Sequence, residues 1–219
     1  MDGNDHRLPP QADSPMTQAG APKFLWIIVG IMTTIELGLT ASEFFWSIDH
    51  RSTTFLLGAF WQPIFSGAIQ PIYPGQILLM FITYAFLHGG ILHLAMNSVL
   101  LLSLGKFCSI HVGLQKTLLI LFLSAAVGAA CFGFISESNV PMIGASGAVF
   151  GLIGIWQATE YQMRRTAGVS IQPIIMGIFG LIVANILIFV MLSGGLAWET
   201  HFGGWLTGWL SGFIFTRRR

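Results

Sequence analysis

Apolar residues along the chain gather into six long runs, at roughly 24–42, 77–104, 115–135, 146–162, 172–192 and 199–216. A helix that crosses the hydrocarbon core of a bilayer takes about 20 mostly apolar residues, and each run is near that length. The pattern predicts an all-α membrane protein built as a bundle of six transmembrane helices. Residues 1–22, rich in Pro, Asp, Gln and Ser, have almost nothing to bury. They read as a disordered cytoplasmic tail before a helical domain over 23–219, and they lack the basic start and apolar core of a secretory signal. Between the first two runs, the interval 43–76 holds Trp46, Phe55, Phe60, Trp61, Phe65 and Tyr73 among Pro and Gly. Aromatic rings favour the headgroup zone, so this interval is predicted to be an external interfacial loop with short helical pieces.

Composition strengthens the picture. The chain is 54% apolar and 9% charged, against roughly 25% charged in an ordinary soluble domain. A soluble enzyme and a disordered protein are thereby disfavoured. A net charge of +1 offers no basic field for nucleic acid. Cys108 and Cys131 both lie in apolar runs and read as small core residues rather than as a disulfide or metal site.

The cations set an orientation. With the intervals numbered alternately, Arg7, Lys23, Lys106, Lys116, Arg164, Arg165, Arg217, Arg218 and Arg219 fall on one side and Arg51 alone on the other. Cytoplasmic loops carry the excess of Lys and Arg, so both termini are expected in the cytoplasm. The polar N-terminal run favours a bacterial inner membrane as the setting.

Polar groups inside apolar spans are costly and usually functional. The second span carries His88, His93 and Asn97, the fourth opens with Ser146, and the sixth opens with His201. These three spans run in the same direction, so His88, His93, Ser146 and His201 share the outer end, with Asn97 one turn below His93. Asn185 falls within the fifth span, where a hydrogen bond between helices is the simpler reading. At about 100° per residue, His93 and Asn97 share a helical face, whereas His88 points elsewhere. His201, Gly204, Gly208 and Gly212 form one stripe, matched on the fourth span by Gly147, Gly151, Gly154 and Ala158. Small-residue seams let helix backbones approach closely, and packing these two would bring Ser146 and His201 within reach of each other.

Acyl transfer is the chemistry this arrangement allows. A serine hydroxyl becomes an effective nucleophile when an adjacent base takes its proton, and histidine is the usual base. Ser146 follows Gly144 at a helix start, where backbone N–H groups are free and can stabilise an oxyanion. No Asp or Glu is well placed to orient His201, so a Ser–His dyad is expected. A GxSGxxxG sequence by itself is common in helix packing, and a transport or binding cavity could also use polar groups at one depth.

Three separated motifs, His88-x4-His93-x3-Asn97, Gly144-Ala145-Ser146-Gly147 and His201-x2-Gly204-x3-Gly208, resemble those of the rhomboid intramembrane serine proteases. The resemblance implies Ser146 as nucleophile and His201 as general base. It implies an oxyanion hole from His93, Asn97 and the Ser146 N–H. His88 would hold the external loop, and Gly204 would let the sixth helix meet the fourth. It further implies transmembrane protein substrates within the lipid bilayer, cut near the outer end of a helix, with no metal or cofactor. The alternative is a catalytically inactive rhomboid-like protein that binds transmembrane helices. The chain departs from the family in two places. The stretch GQILLMF before the second span has no Trp-Arg pair, and Ser109 stands where many members carry a Glu.

Overall fold

The computed structural model describes residues 20–215. Most of the expected N-terminal tail and Arg217, Arg218 and Arg219 lie outside the described residues. Within them the chain is helical. In order come α1 (Lys23–Trp46), α2 (His50–Gly58), α3 (Gln62–Phe65), α4 (Gln76–Thr83), a 3-10 turn (Tyr84–Phe86), α5 (Ile91–Val112), α6 (Leu114–Ile135), α7 (Ser146–Thr166), α8 (Gln172–Met191) and α9 (Trp198–Phe215).

Four of these helices, α1, α5, α6 and α8, are long and apolar enough to cross a membrane. The other two long helices fall short in hydropathy for a packing reason. The buried face of α7 includes Gly147, Gly151, Gly154, Gln157 and Thr159, and that of α9 includes Thr200, His201, Gly203, Gly204, Gly208, Ser211 and Gly212. Such residues pack closely but add little hydrophobicity.

The second predicted span needs correcting. The apolar run that begins near residue 77 is split: α4 and the 3-10 turn belong to the loop, and the long helix starts only at Ile91. The break falls at His88-Gly89-Gly90, where Gly90 has φ 134°, a backbone angle open mainly to glycine. Hydropathy is continuous across this break, so it cannot reveal it. The loop therefore extends from Ser47 to Gly90 rather than ending near residue 76.

That loop is structured from its own residues. Asp49 caps α2 by accepting a 2.9 Å hydrogen bond from the Ser52 N–H; the Ser52 hydroxyl, and after it this N–H, holds its carboxyl below the usual range. The buried Gln76 side chain accepts from the Ile72 N–H and donates to the Leu56 carbonyl, at 2.7 and 2.9 Å. Phe60 packs against Phe65, Phe81 and Phe132. Its backbone also exchanges two hydrogen bonds with Met142, of 3.0 and 2.9 Å, and so ties the loop to the connection just before α7.

The two small-residue stripes meet as expected. A Cβ on Gly204 would overlap the Gly147 carbonyl oxygen, and one on Gly208 would overlap that of Gly151. On the other face of α9, a Cβ on Gly203 would press on Cys131 and on the Val127 carbonyl of α6. Thus α9 lies in backbone contact with both α6 and α7. By contrast α8 stands apart: Ile174 is its one buried residue.

Candidate active site

Ser146 is the first residue of α7 and His201 lies in the first turn of α9. The glycine seam brings the two helix starts together, and His201 Nε2 lies 2.9 Å from Ser146 Oγ. The His201 ring is buried and stacks flat on Phe150, with centroids 4.1 Å apart and planes 5° apart. Phe150 is one turn after Ser146, so the helix that carries the hydroxyl also carries the surface that fixes the ring.

A third side chain completes the line. His201 Nδ1 lies 2.6 Å from Asn185 Oδ1, and the Asn185 amide nitrogen donates to the Leu181 carbonyl at 2.9 Å. With its nitrogen donating, the amide presents its oxygen to the imidazole, which must place its hydrogen on Nδ1. The lone pair of Nε2 is then free to accept from Ser146 Oγ. Ser146, His201 and Asn185 thus lie along one hydrogen-bonded line. Asn185 does bridge two helices, as its position in the span suggests, but its partner is the histidine at the head of α9.

His93 and Asn97 approach from α5. The His93 ring lies against Gly144, where an added Cβ would come within 2.8 Å of Nε2. Gly144 has φ 109° and its N–H donates to the Tyr84 carbonyl at 3.0 Å, so a glycine is required here both for backbone and for space. The Gly89 N–H donates to His93 Nδ1 in a long bond of 3.4 Å. That leaves the ring hydrogen on Nε2, beside Gly144 and two residues from Ser146. Asn97 is buried, and its amide nitrogen donates to the His93 carbonyl at 3.0 Å.

The placement of His88 on the second span is corrected. It lies in the break before α5, not on a spanning helix, so helical periodicity does not set its direction. Its ring packs edge-on against that of His93, with centroids 5.0 Å apart. It is fully buried, and neither ring nitrogen has a hydrogen-bond partner among the described residues. Its backbone carbonyl accepts a 2.9 Å hydrogen bond from Arg51.

Arg51 and Glu36 stand outside the motifs read from the sequence. Glu36 is fully buried in α1 and receives both terminal nitrogens of the Arg51 guanidinium, each at 3.0 Å. Glu43 accepts two further bonds from the same guanidinium, at 2.8 and 3.2 Å. The hydrogen bonds that Arg51 donates to Glu36, followed by those it donates to Glu43, raise its pKa above the ordinary value. The loop that lacks a Trp-Arg pair is thus fastened to α1 by an arginine near its beginning. A lone carboxylate inside an apolar span is the signal that points to Glu36.

A cavity of about 470 Å³ opens between α8 and α9. Its lining includes Phe150, Phe189, Trp198 and Trp205, with Asn185 and His201 as its polar members.

A family model described as Rhomboid domain matches residues 75–218. The chain is 29% identical over 194 residues to Rhomboid-like protease 3 of Toxoplasma gondii, an overlap of 84% of this chain and 65% of that protein. It is 32% identical over 133 residues to RHOMBOID-like protein 4 of Arabidopsis thaliana, covering 61% of this chain and 33% of that protein. RHOMBOID-like protein 5 of the same plant is 30% identical over 146 residues, 63% of this chain and 44% of that protein. The chain therefore spans between a third and two thirds of the length of these relatives. The matched domain takes in α4 to α9, and with them every side chain gathered around Ser146: the chain is an integral membrane protein that belongs to the rhomboid family.

Proposed function

We propose that the protein is an intramembrane serine protease that hydrolyses peptide bonds of transmembrane protein substrates near the outer membrane face. The observation that carries this reading is the pair of hydrogen bonds on His201, 2.9 Å to Ser146 Oγ and 2.6 Å to Asn185 Oδ1. In the first step His201 Nε2 takes the hydroxyl proton as Ser146 Oγ attacks the scissile carbonyl carbon. The oxyanion that forms is stabilised by the Ser146 backbone N–H, which has no helical partner at this position, together with His93 Nε2–H and the Asn97 amide. The tetrahedral intermediate collapses as His201 returns the proton to the leaving amine. Water then hydrolyses the acyl-enzyme by the same route, and Ser146 regains its hydrogen.

In this reading α7 and α9 cross the bilayer with the other four long helices, which makes six spans. At 21 and 18 residues and about 1.5 Å per residue they approach the roughly 30 Å of a hydrocarbon core. The cation asymmetry supports cytoplasmic termini, with Ser146 at the outer end, and the membrane in our reading is a bacterial inner membrane. The apolar surroundings of His201 support a substrate that arrives through lipid.

A serine-directed fluorophosphonate tests the reading directly. Wild-type protein in liposomes should be labelled and should cleave a transmembrane test substrate, and Ser146→Ala should do neither while keeping its helical content. Equal labelling of the two, or binding of transmembrane helices without cleavage, would leave the inactive rhomboid-like reading in its place.

A further inference from the structure

One peptide unit links the Arg51 cluster to His93. The carbonyl of His88 accepts from the Arg51 guanidinium at 2.9 Å, and the N–H of the same peptide, on Gly89, donates to His93 Nδ1. Arg51 is itself immobilised. Two terminal nitrogens meet both oxygens of the fully buried Glu36, and Nε and a terminal nitrogen meet Glu43. The peptide is therefore gripped on its carbonyl side by a cation anchored to α1, while its other side faces the imidazole.

We propose that Arg51 is a positioning residue that acts through the His88–Gly89 peptide to hold the His93 ring with its hydrogen on Nε2. Neutral imidazole carries one ring hydrogen, and a donor aimed at one nitrogen puts that hydrogen on the other. Fixing the peptide plane keeps the Gly89 N–H aimed at Nδ1. A charged donor on the carbonyl also polarises the unit, so its N–H becomes a better donor. The 3.4 Å separation to Nδ1 is long, and a bond this marginal depends on an outside restraint for its direction. Gly90, at φ 134°, leaves the following backbone little stiffness of its own. The restraint comes from α1, across the loop, and not from α5, which carries His93.

The catalytic consequence rests on the proposed protease reading, in which His93 Nε2–H faces the developing oxyanion. The tautomer itself can be read without any activity. The variants are Arg51→Lys, which keeps a positive charge beside Glu36 but lacks the forked guanidinium, and the pair Arg51→Gln with Glu36→Gln, which removes both charges together. Ring-15N histidine spectra of full-length protein in detergent, with the His93 signal identified from its loss in His93→Gln, report which nitrogen bears the hydrogen. Wild type should show Nε2–H alone, and both variants a mixture. For cleavage, kcat per folded molecule should fall about tenfold with KM unchanged, short of the roughly 10²–10³-fold that follows loss of a whole oxyanion donor.

A merely structural clamp would lower the folded fraction or the melting temperature and leave the tautomer and kcat as they are. An unchanged His93 tautomer in both folded variants overturns the inference. A mixed tautomer with undiminished kcat overturns its catalytic part. If wild type cleaves nothing yet the tautomer shifts, Arg51 positioning stands and the protease reading falls.

Discussion

Replacing Asn185 with alanine isolates the contribution of the third group in the Ser146–His201–Asn185 line. The substitution removes one neutral hydrogen bond, the 2.6 Å contact to His201 Nδ1. The Leu181 carbonyl that accepts from Asn185 sits in the middle of a helix and has a backbone donor of its own. A neutral hydrogen bond contributes about 0.5–1.5 kcal/mol net, and about 1.4 kcal/mol changes a rate tenfold. If that bond serves to keep the lone pair on Nε2 in the reacting state, kcat should fall about 2- to 12-fold. Asn185 carries no charge of its own, so the loss should stay below what removing a carboxylate partner of the imidazolium would cause. The assay is cleavage of a transmembrane test substrate in liposomes across a range of substrate densities, so that kcat and KM are separated. The expected change lies in kcat. An unaltered kcat would mean that the Phe150 stack alone orients His201. A loss as complete as that of Ser146→Ala would mean that Asn185 acts as more than an orienting acceptor.

Other substitutions probe the scaffold. Gly208→Ala sets a methyl against the Gly151 carbonyl, a backbone group that cannot rotate aside, and should destabilise by about 1–3 kcal/mol, the cost of overpacking; an unchanged unfolding midpoint would show that α9 shifts freely. Gln76→Ala leaves the Ile72 N–H and Leu56 carbonyl without their partner, at about 1–3 kcal/mol for each group that stays buried. It should also raise hydrogen exchange in the loop before any change in the long helices, and uniform exchange throughout would contradict this. Asn97→Ala should slow cleavage about 10²- to 10³-fold without abolishing it, as single-turnover rates would show; complete inactivity would assign Asn97 to holding α5 together instead.

What the sequence reveals about this molecule depends on how locally each feature is encoded. The long apolar runs are legible because burial in lipid demands them along a continuous stretch. The seam between α7 and α9 is legible because small residues recur at helical spacing, and once it closes, the approach of Ser146 to His201 follows. The break at His88-Gly89-Gly90 is hidden, since residues on both sides of it are apolar and two glycines can also lie within a membrane helix. That concealed break is why the sequence pattern places His88 on a helical face of the second span. Asn185 is hidden differently. Its place in α8 is plain, but the rotation of a helix that is apolar all round leaves no periodic mark. Glu36 announces itself as a charge in an apolar span, yet its partner Arg51 is identified only once the loop has folded back over α1.

The contrast between the two contacts of His201 has a mechanical consequence. The bond to Ser146 joins α9 to α7, which are locked backbone to backbone at Gly204 and Gly208, so that separation belongs to a closely packed unit. The bond to Asn185 joins α9 to α8, the helix with a single buried residue and a cavity beside it. Any outward lean of α8 is absorbed there first. Ser146 and His201 would stay in register while the imidazole lost the acceptor that fixes its hydrogen on Nδ1, so a lateral displacement of α8 would be felt at the Asn185 end of the line and leave the Ser146 end in place.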